Sequence, residues 1–224
     1  MRSFIKHNSL SLVFLTLFIG AIVFQAIAGH AVFNEEEDRH GDPHISLGRY
    51  ITSSAFGVAV MENWQSEYLQ FTLFVLLTVW FLQRGSPESK EVGREGRESD
   101  EDQLVGEHAR HDSPRWARMV GLRRRIYENS LLIVMGTIWI GTWFAQSITG
   151  VTEYNSEQLD HHEQTVSWLQ YLGSANFWEK TLQNWQSEFL AVGSMAILAV
   201  YLRQRGSPES KPVGAPHHAT GVEG

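Results

Sequence analysis

The chain has no cysteine anywhere in its 224 residues. That excludes a disulfide framework, a thiolate-held zinc or iron–sulfur centre, and a cysteine nucleophile. It also lacks an excess of positive charge. Its 18 Lys and Arg stand against 25 Asp and Glu, a formal net charge of −7, so no nucleic-acid partner is expected. Equally absent are a phosphate-binding loop, the Rossmann glycine pattern, the G-x-S-x-G elbow and the H-E-x-x-H zinc signature. The expectation is a protein that is not an enzyme and carries no cofactor.

What is present is apolar sequence gathered into four blocks. Residues 10–28 hold only Ser11, Thr16 and Gln25 as polar members, and residues 68–82 only Gln70, Thr72 and Thr78. Residues 131–148 and 189–202 carry no charge. A membrane span needs ~20 residues, because the hydrocarbon core is ~30 Å thick and a helix rises ~1.5 Å per residue. Blocks one and three suffice alone. Blocks two and four reach that length if they begin near Trp64 and Trp185. A soluble helix would show a polar face, and these show almost none. The fold class expected is all-α and integral to a membrane, with four transmembrane helices at about 10–28, 64–83, 130–149 and 185–203. Arg2, Lys6 and Ala26-Ile27-Ala28 imitate a signal peptide. The apolar stretch exceeds the ~7–15 residues of a signal, and its copy lies mid-chain, so retention is expected.

Sliding the chain by 121 residues aligns 4–93 with 125–214 without a gap, with 36 identities in 90 positions. The matches include Asn8-Ser9-Leu10 with Asn129-Ser130-Leu131, Gln25 with Gln146, and Gly29 with Gly150. Tyr50 pairs with Tyr171, Asn63–Glu67 with Asn184–Glu188, and Gln83–Lys90 with Gln204–Lys211. The organisation predicted is a hairpin repeat at 1–93, a charged linker at 94–124 with a basic amphipathic end, a second hairpin at 125–214, and a disordered tail at 215–224. The linker is too polar to bury a core. Its end, Arg115 to Arg125, suits either an anionic membrane surface or the basic flank of the next span.

Charge sets the topology. Residues 30–62 and 151–184 contain three basic and eleven acidic residues, while the other fifteen Lys and Arg lie in the N-terminus, the central segment 83–129 and the C-terminal stretch after residue 202. Basic flanks mark the cytoplasmic side, so both termini are expected inside an inner membrane and both long loops outside, with two parallel repeats.

Three constellations offer chemistry. Ser53 and Ser174 stand where N-caps would start the second helix of each hairpin. Trp64 and Trp185 then fall at headgroup depth as interfacial anchors. One turn deeper lie Glu67 and Glu188, at the depth of Gln25 and Gln146. An intramembrane carboxylate needs a partner, so Gln25–Glu67 and Gln146–Glu188 are candidate hydrogen bonds, either as structural glue or as a polar pathway. In the loops, Asn34, Glu36, His40 and Asp42 align with Asn155, Glu157, His161 and Glu163. Carboxylate and imidazole four residues apart suit a divalent metal, although solvated acidic loops often hold such residues. The repeated Arg-Gly-Ser-Pro-Glu-Ser-Lys reads as a helix stop at the inner surface.

These motifs resemble an uncharacterised family of bacterial multi-pass membrane proteins, classed as a domain of unknown function. The resemblance rests on Asn8-Ser9-Leu10-Ser11, the Asn34/Glu36/His40 loop, Asn63-Trp64-Gln65-Ser66-Glu67 and Gly85-Ser86-Pro87-Glu88-Ser89-Lys90. It implies a bacterial source, membrane location and a tandem arrangement, and it implies no activity. Ser156 and Gln158 replace Glu35 and Glu37 in the second copy, which weakens any pair of equivalent metal sites. The expected role is a structural or accessory envelope protein with the lipid bilayer as partner. Alternatives are a small transporter or channel lined by the Gln/Glu set, and a metal- or pH-responsive protein acting through the loops. A homo-oligomer would double the helices available for a pathway.

Overall fold

A computed structural model describes residues 2–222. Among them there are helices and turns but no strand. In chain order the α-helices are α1 (Arg2–His7), α2 (Ser9–His40), α3 (Leu47–Tyr50), α4 (Ser54–Leu77), α5 (Leu122–Glu128), α6 (Ser130–Asp160), α7 (Trp168–Leu172) and α8 (Ala175–Tyr201). Two short 3₁₀ turns, Gly106–His108 and Arg115–Arg118, interrupt the linker. The all-helical class agrees with the sequence.

The helix lengths differ from those expected. Among the described residues only α2 and α6 are long and apolar enough to cross a membrane, so the structure supports two candidate spans rather than four. The shortfall has a physical origin. Polar Asn-Trp-Gln-Ser-Glu sits mid-way along α4 and α8 instead of at their starts, and both helices stop early. Just past the end of α4, Thr78 Oγ1 donates to Phe74 O at 2.8 Å, sharing that carbonyl with Thr78 N at 3.0 Å. Beyond α8, the Arg203 guanidinium donates to the carbonyls of Ala199, Val200 and Leu202, taking up the helix-end acceptors.

Past each stop, Arg-Gly-Ser-Pro-Glu-Ser-Lys adopts the same local form. Gly85 and Gly206 take φ of +90° and +82°, which side-chain-bearing residues avoid. The Ser89 and Ser210 hydroxyls accept from Gln83 N and Gln204 N, each at 2.9 Å. The two lysines then gather the chain that follows. Lys90 Nζ donates to Gly96 O at 2.9 Å. Lys211, 1% exposed, donates to the carbonyls of Pro216, His217 and Ala219. The described part of the tail, expected to be disordered, is therefore wound around a buried ammonium; residues 223–224 lie outside the described residues. Burial, with Arg203 adding to it, lowers the Lys211 pKa below its ordinary value.

Two compact units divide the chain. The first comprises Met1–Met61 and Ala145–Phe177, the second Glu62–Phe144 and Trp178–Gly224. In the first unit the loops are pinned by an asparagine at each of two positions 121 apart. Asn34 accepts from Ile45 N at 2.9 Å and donates to Ile45 O at 3.2 Å. Asn155 does the same to Val166, at 2.8 and 2.9 Å. Ser46 and Ser167 then cap α3 and α7, the latter with a full capping box to Gln170. Each short helix carries a buried tyrosine in its last turn, Tyr50 or Tyr171. Their rings lie over Gly29 and Gly150, where an added Cβ would stand 2.2 and 2.5 Å from the hydroxyl. Glycine is required there for close approach. Ser53 and Ser174 accept from Phe56 N and Phe177 N, which starts α4 and α8 as their sequences predict.

Candidate functional site

The side chains most removed from solvent in the second unit are polar. Gln65 and Thr181 are 0% exposed and Ser66 is 1% exposed, among four tryptophans. Trp143 stacks on Trp139 at 6.1 Å and meets Trp178 edge-on at 6.0 Å and Trp185 at 5.5 Å. Two of the four indole N–H groups bond the buried residues. Trp185 Nε1 donates to Gln65 Oε1 at 2.8 Å, and Trp143 Nε1 donates to Thr181 Oγ1 at 3.5 Å. Gln65 Nε2 turns back to Glu62 O at 3.1 Å. Ser66 Oγ donates to Asn63 O and to Glu188 Oε1, at 3.0 and 3.3 Å. Lys180 Nζ stands 3.8 Å from Glu62 Oε1. Amide, hydroxyl and indole groups are thus joined in pairs, while Trp139 Nε1 is buried with no hydrogen-bond partner among the described residues. It joins the two copies of Asn-Trp-Gln-Ser-Glu, from α4 and α8.

The two copies are not equivalent. Gln65 and Ser66 are buried, whereas Gln186 and Ser187 are exposed. Glu67 is exposed and Glu188 is half-buried. In the first unit Gln25 is exposed, while its counterpart Gln146 is 1% exposed. Neither amide atom of Gln146 finds a hydrogen-bond partner among the described residues. Within the second unit, Glu188 takes its proton donor from Ser66. The two glutamines differ by helix environment: α6 buries Thr142, Gln146 and Ser147, whereas α2 buries no residue at all. Trp64 and Trp185, expected as anchors, are half-buried, and Trp185 is bonded inward to Gln65.

The loop residues do not assemble a metal shell. Among the described residues no group of three or more His, Asp and Glu side chains is placed to hold an ion. Glu36, His40, Asp42, Glu157, His161 and Glu163 are all exposed. Nearby, His44 Nε2 lies 2.8 Å from Asp38, and Arg39 pairs with Glu35 at 2.7 Å. The asparagines grouped with them in the sequence have the bonding role instead, and the signal for it was available. Each stands eleven residues ahead of the chain it pins, with a serine cap immediately after.

Elsewhere in the first unit, Ser54 Oγ donates to Glu153 Oε2 at 2.9 Å, and a Cβ on Gly57 would meet Thr149 at 2.8 Å, so α4 and α6 approach closely. Burial, with the Glu153 charge second, raises the Tyr50 pKa above its usual value, so the phenol stays neutral. In the second unit Glu88 and Glu209, the equivalent glutamates of the two stop motifs, meet. Burial, a hydrogen bond to Glu209 and the Glu209 charge push the Glu88 carboxyl up to about 7.

A family model, the domain of unknown function DUF6766, matches residues 1–222. The chain belongs to this family. Neither a curated protein nor a solved structure matches it. DUF6766 brings no assigned activity, so the geometry alone carries the functional reading. That geometry holds tryptophan–amide and serine–carboxylate pairs, which bond helices together.

Proposed function

We propose that this DUF6766 chain is an integral protein of a bacterial inner membrane with a structural or accessory role in the envelope. Four helices form two parallel hairpins, with both termini and the linker cytoplasmic. The carrying observation is α2. It is 32 residues long, and eleven of its large apolar side chains are exposed around its whole circumference, from Leu10 to Val32. Burying one such side chain is worth ~1.5–3 kcal/mol, so leaving all of them in water forfeits on the order of 20 kcal/mol. That exceeds the whole stability of a typical domain, ~5–15 kcal/mol. Hydrocarbon removes the cost. At ~1.5 Å per residue α2 is ~48 Å long, enough to cross a ~30 Å core and project beyond it into its acidic end. Repetition of the sequence at 121 residues supports treating α6 in the same way, with α4 and α8 returning the chain to the cytoplasmic side.

The accessory reading is favoured over transport by the bonding of Gln65, Ser66, Thr181, Trp143 and Trp185 to one another, which is how polar groups join helices in hydrocarbon. Two measurements test it. The protein should stay in the membrane pellet at alkaline pH, and release into the supernatant refutes the membrane assignment. Reconstituted in vesicles, it should conduct no ions or small solutes, with Glu67→Gln and Glu188→Gln unchanged from the parent. A flux abolished by either substitution would overturn the accessory role and establish a pathway.

A further inference from the structure

The second unit contains a groove of about 1100 Å³ where the linker folds over the end of α4 and the start of α6. That is at the upper end of the ~300–1000 Å³ typical of small-molecule sites. One side is apolar, formed by Val75, Leu76, Val79, Leu131 and Leu132. The other side is charged, and its carboxylates are already engaged. Glu98 pairs with Lys90 at 3.1 Å, and Arg124 takes both Asp100 at 3.0 Å and Glu128 at 2.7 Å. Two guanidiniums are left over. Arg97 Nη2 donates only to the neutral Asn129 Oδ1 at 3.2 Å, and Asn129 Nδ2 donates back to Arg125 O at 2.7 Å. Arg97 and Arg125 both line the groove, both are exposed, and neither has a carboxylate partner among the described residues.

We propose that this groove binds an anionic phospholipid of the cytoplasmic leaflet, its phosphate between Arg97 and Arg125 and its acyl chains along Val75, Val79 and Leu131. The proposal rests on the membrane reading above, which places the start of α6, with the arginine-rich α5 before it, at that surface. Guanidinium is the group suited to a phosphate, since its planar fork donates two parallel hydrogen bonds. Basic pockets between helices on the cytoplasmic side hold acidic headgroups by this chemistry. The apolar side distinguishes a lipid from a free phosphate, because a soluble anion would leave Val75, Leu76 and Leu131 facing water.

The test uses the full-length protein in detergent, titrated with phosphatidylglycerol, phosphatidylcholine or glycerol phosphate, with bound lipid counted by native mass spectrometry. Phosphatidylglycerol should bind at least about tenfold more tightly than phosphatidylcholine. Arg97→Gln with Arg125→Gln should erase that preference, and Arg125→Gln alone, which removes no side-chain bond among the described residues, should reduce it several-fold. Arg123→Gln, two residues earlier and outside the groove, should leave it intact. Equal affinity for the two lipids overturns the proposal. So does an Arg123→Gln effect as large as that of Arg125→Gln, which would show a diffuse basic surface. Glycerol phosphate binding as tightly as the lipid would make the groove a soluble-anion site and also overturn it. Retention in the alkaline membrane pellet without lipid preference defeats this inference alone, whereas release from the pellet defeats the membrane reading.

Discussion

Replacing Asn155 by alanine should destabilise the protein more than the same change at Asn34, although the two stand at equivalent places in the sequence. Asn155 supplies both hydrogen bonds to Val166, at 2.8 and 2.9 Å, and alanine removes both. At about 1 kcal/mol for each net bond, the loss is about 2 kcal/mol, and more where the freed backbone groups stay shielded from water. At Asn34 the loss is smaller. His30 Nε2 lies 2.7 Å from Ile45 O and, as the Nε2–H tautomer, keeps that carbonyl satisfied when the asparagine is gone. Only Ile45 N loses its acceptor, which costs about 1 kcal/mol. For a chain of this size 1 kcal/mol corresponds to about 2–4 °C in Tm. Thermal melts of the purified protein in detergent should show Asn155→Ala lower by about 4–8 °C and Asn34→Ala by about half as much. A second check follows from the same geometry: His30→Ala combined with Asn34→Ala should bring the first loop to the deficit of Asn155→Ala. Equal shifts for the two single variants, or a larger one at Asn34, would refute the reasoning.

Gly29→Ala and Gly150→Ala should each cost about 1–3 kcal/mol, since the new methyl enters the space of the Tyr50 or Tyr171 ring. Tyr50→Phe should rescue Gly29→Ala better than Tyr171→Phe rescues Gly150→Ala. In the second case two ring carbons also lie within 3.0 Å of the added Cβ. Gln65→Leu leaves the Trp185 indole N–H without its acceptor and should cost about 1–3 kcal/mol, whereas Gln186→Leu, on an exposed position, should fall within about 0.5 kcal/mol. The Glu88 carboxyl, raised to about 7 from 4.5, binds its proton more tightly in the fold than in the unfolded chain. Its contribution is fully present below about pH 4.5 and is lost as pH rises through about 7. Because Glu88 is only half-buried, the effect is on the order of 1 kcal/mol after solvent screening. Melts at pH 5.5 and pH 8 should show that decline, and Glu209→Gln should shrink it without abolishing it, because burial is the larger cause.

Much of the local structure was legible in the residues. Serine at 53 and 174 announces a helix start because its hydroxyl satisfies a free backbone N–H; Gly-Ser-Pro fixes a turn instead of the helix end, since α4 and α8 stop earlier, at Leu77 and Tyr201. Those signals are local, so the structure repeats them at both copies. What was hidden depends on neighbours distant in sequence. Gln25 and Gln146 occupy the same place in two similar helices, yet only α6 is enclosed, so one amide is exposed and the other buried. Identical sequence cannot encode which copy lies inside. Asn34 and Asn155 looked like parts of a ligand set because carboxylates and histidines surround them. Their bonds run to backbone eleven residues away, which composition does not reveal. The tail escaped for the opposite reason: its polar, glycine-rich sequence reads as unstructured, and a single buried ammonium at Lys211 supplies the order.

A four-span chain with both long loops outside is open to direct measurement, because the sequence has no cysteine. Single cysteines can be placed at exposed His40, Val92, His161 and Val213 and probed in intact cells with a membrane-impermeant thiol reagent. Two hairpins with cytoplasmic termini should give labelling at 40 and 161 from outside, with 92 and 213 reacting only after lysis. If α2 and α6 alone cross the membrane, 40 and 92 will label from outside while 161 and 213 stay protected. That pattern would contradict the two-hairpin arrangement.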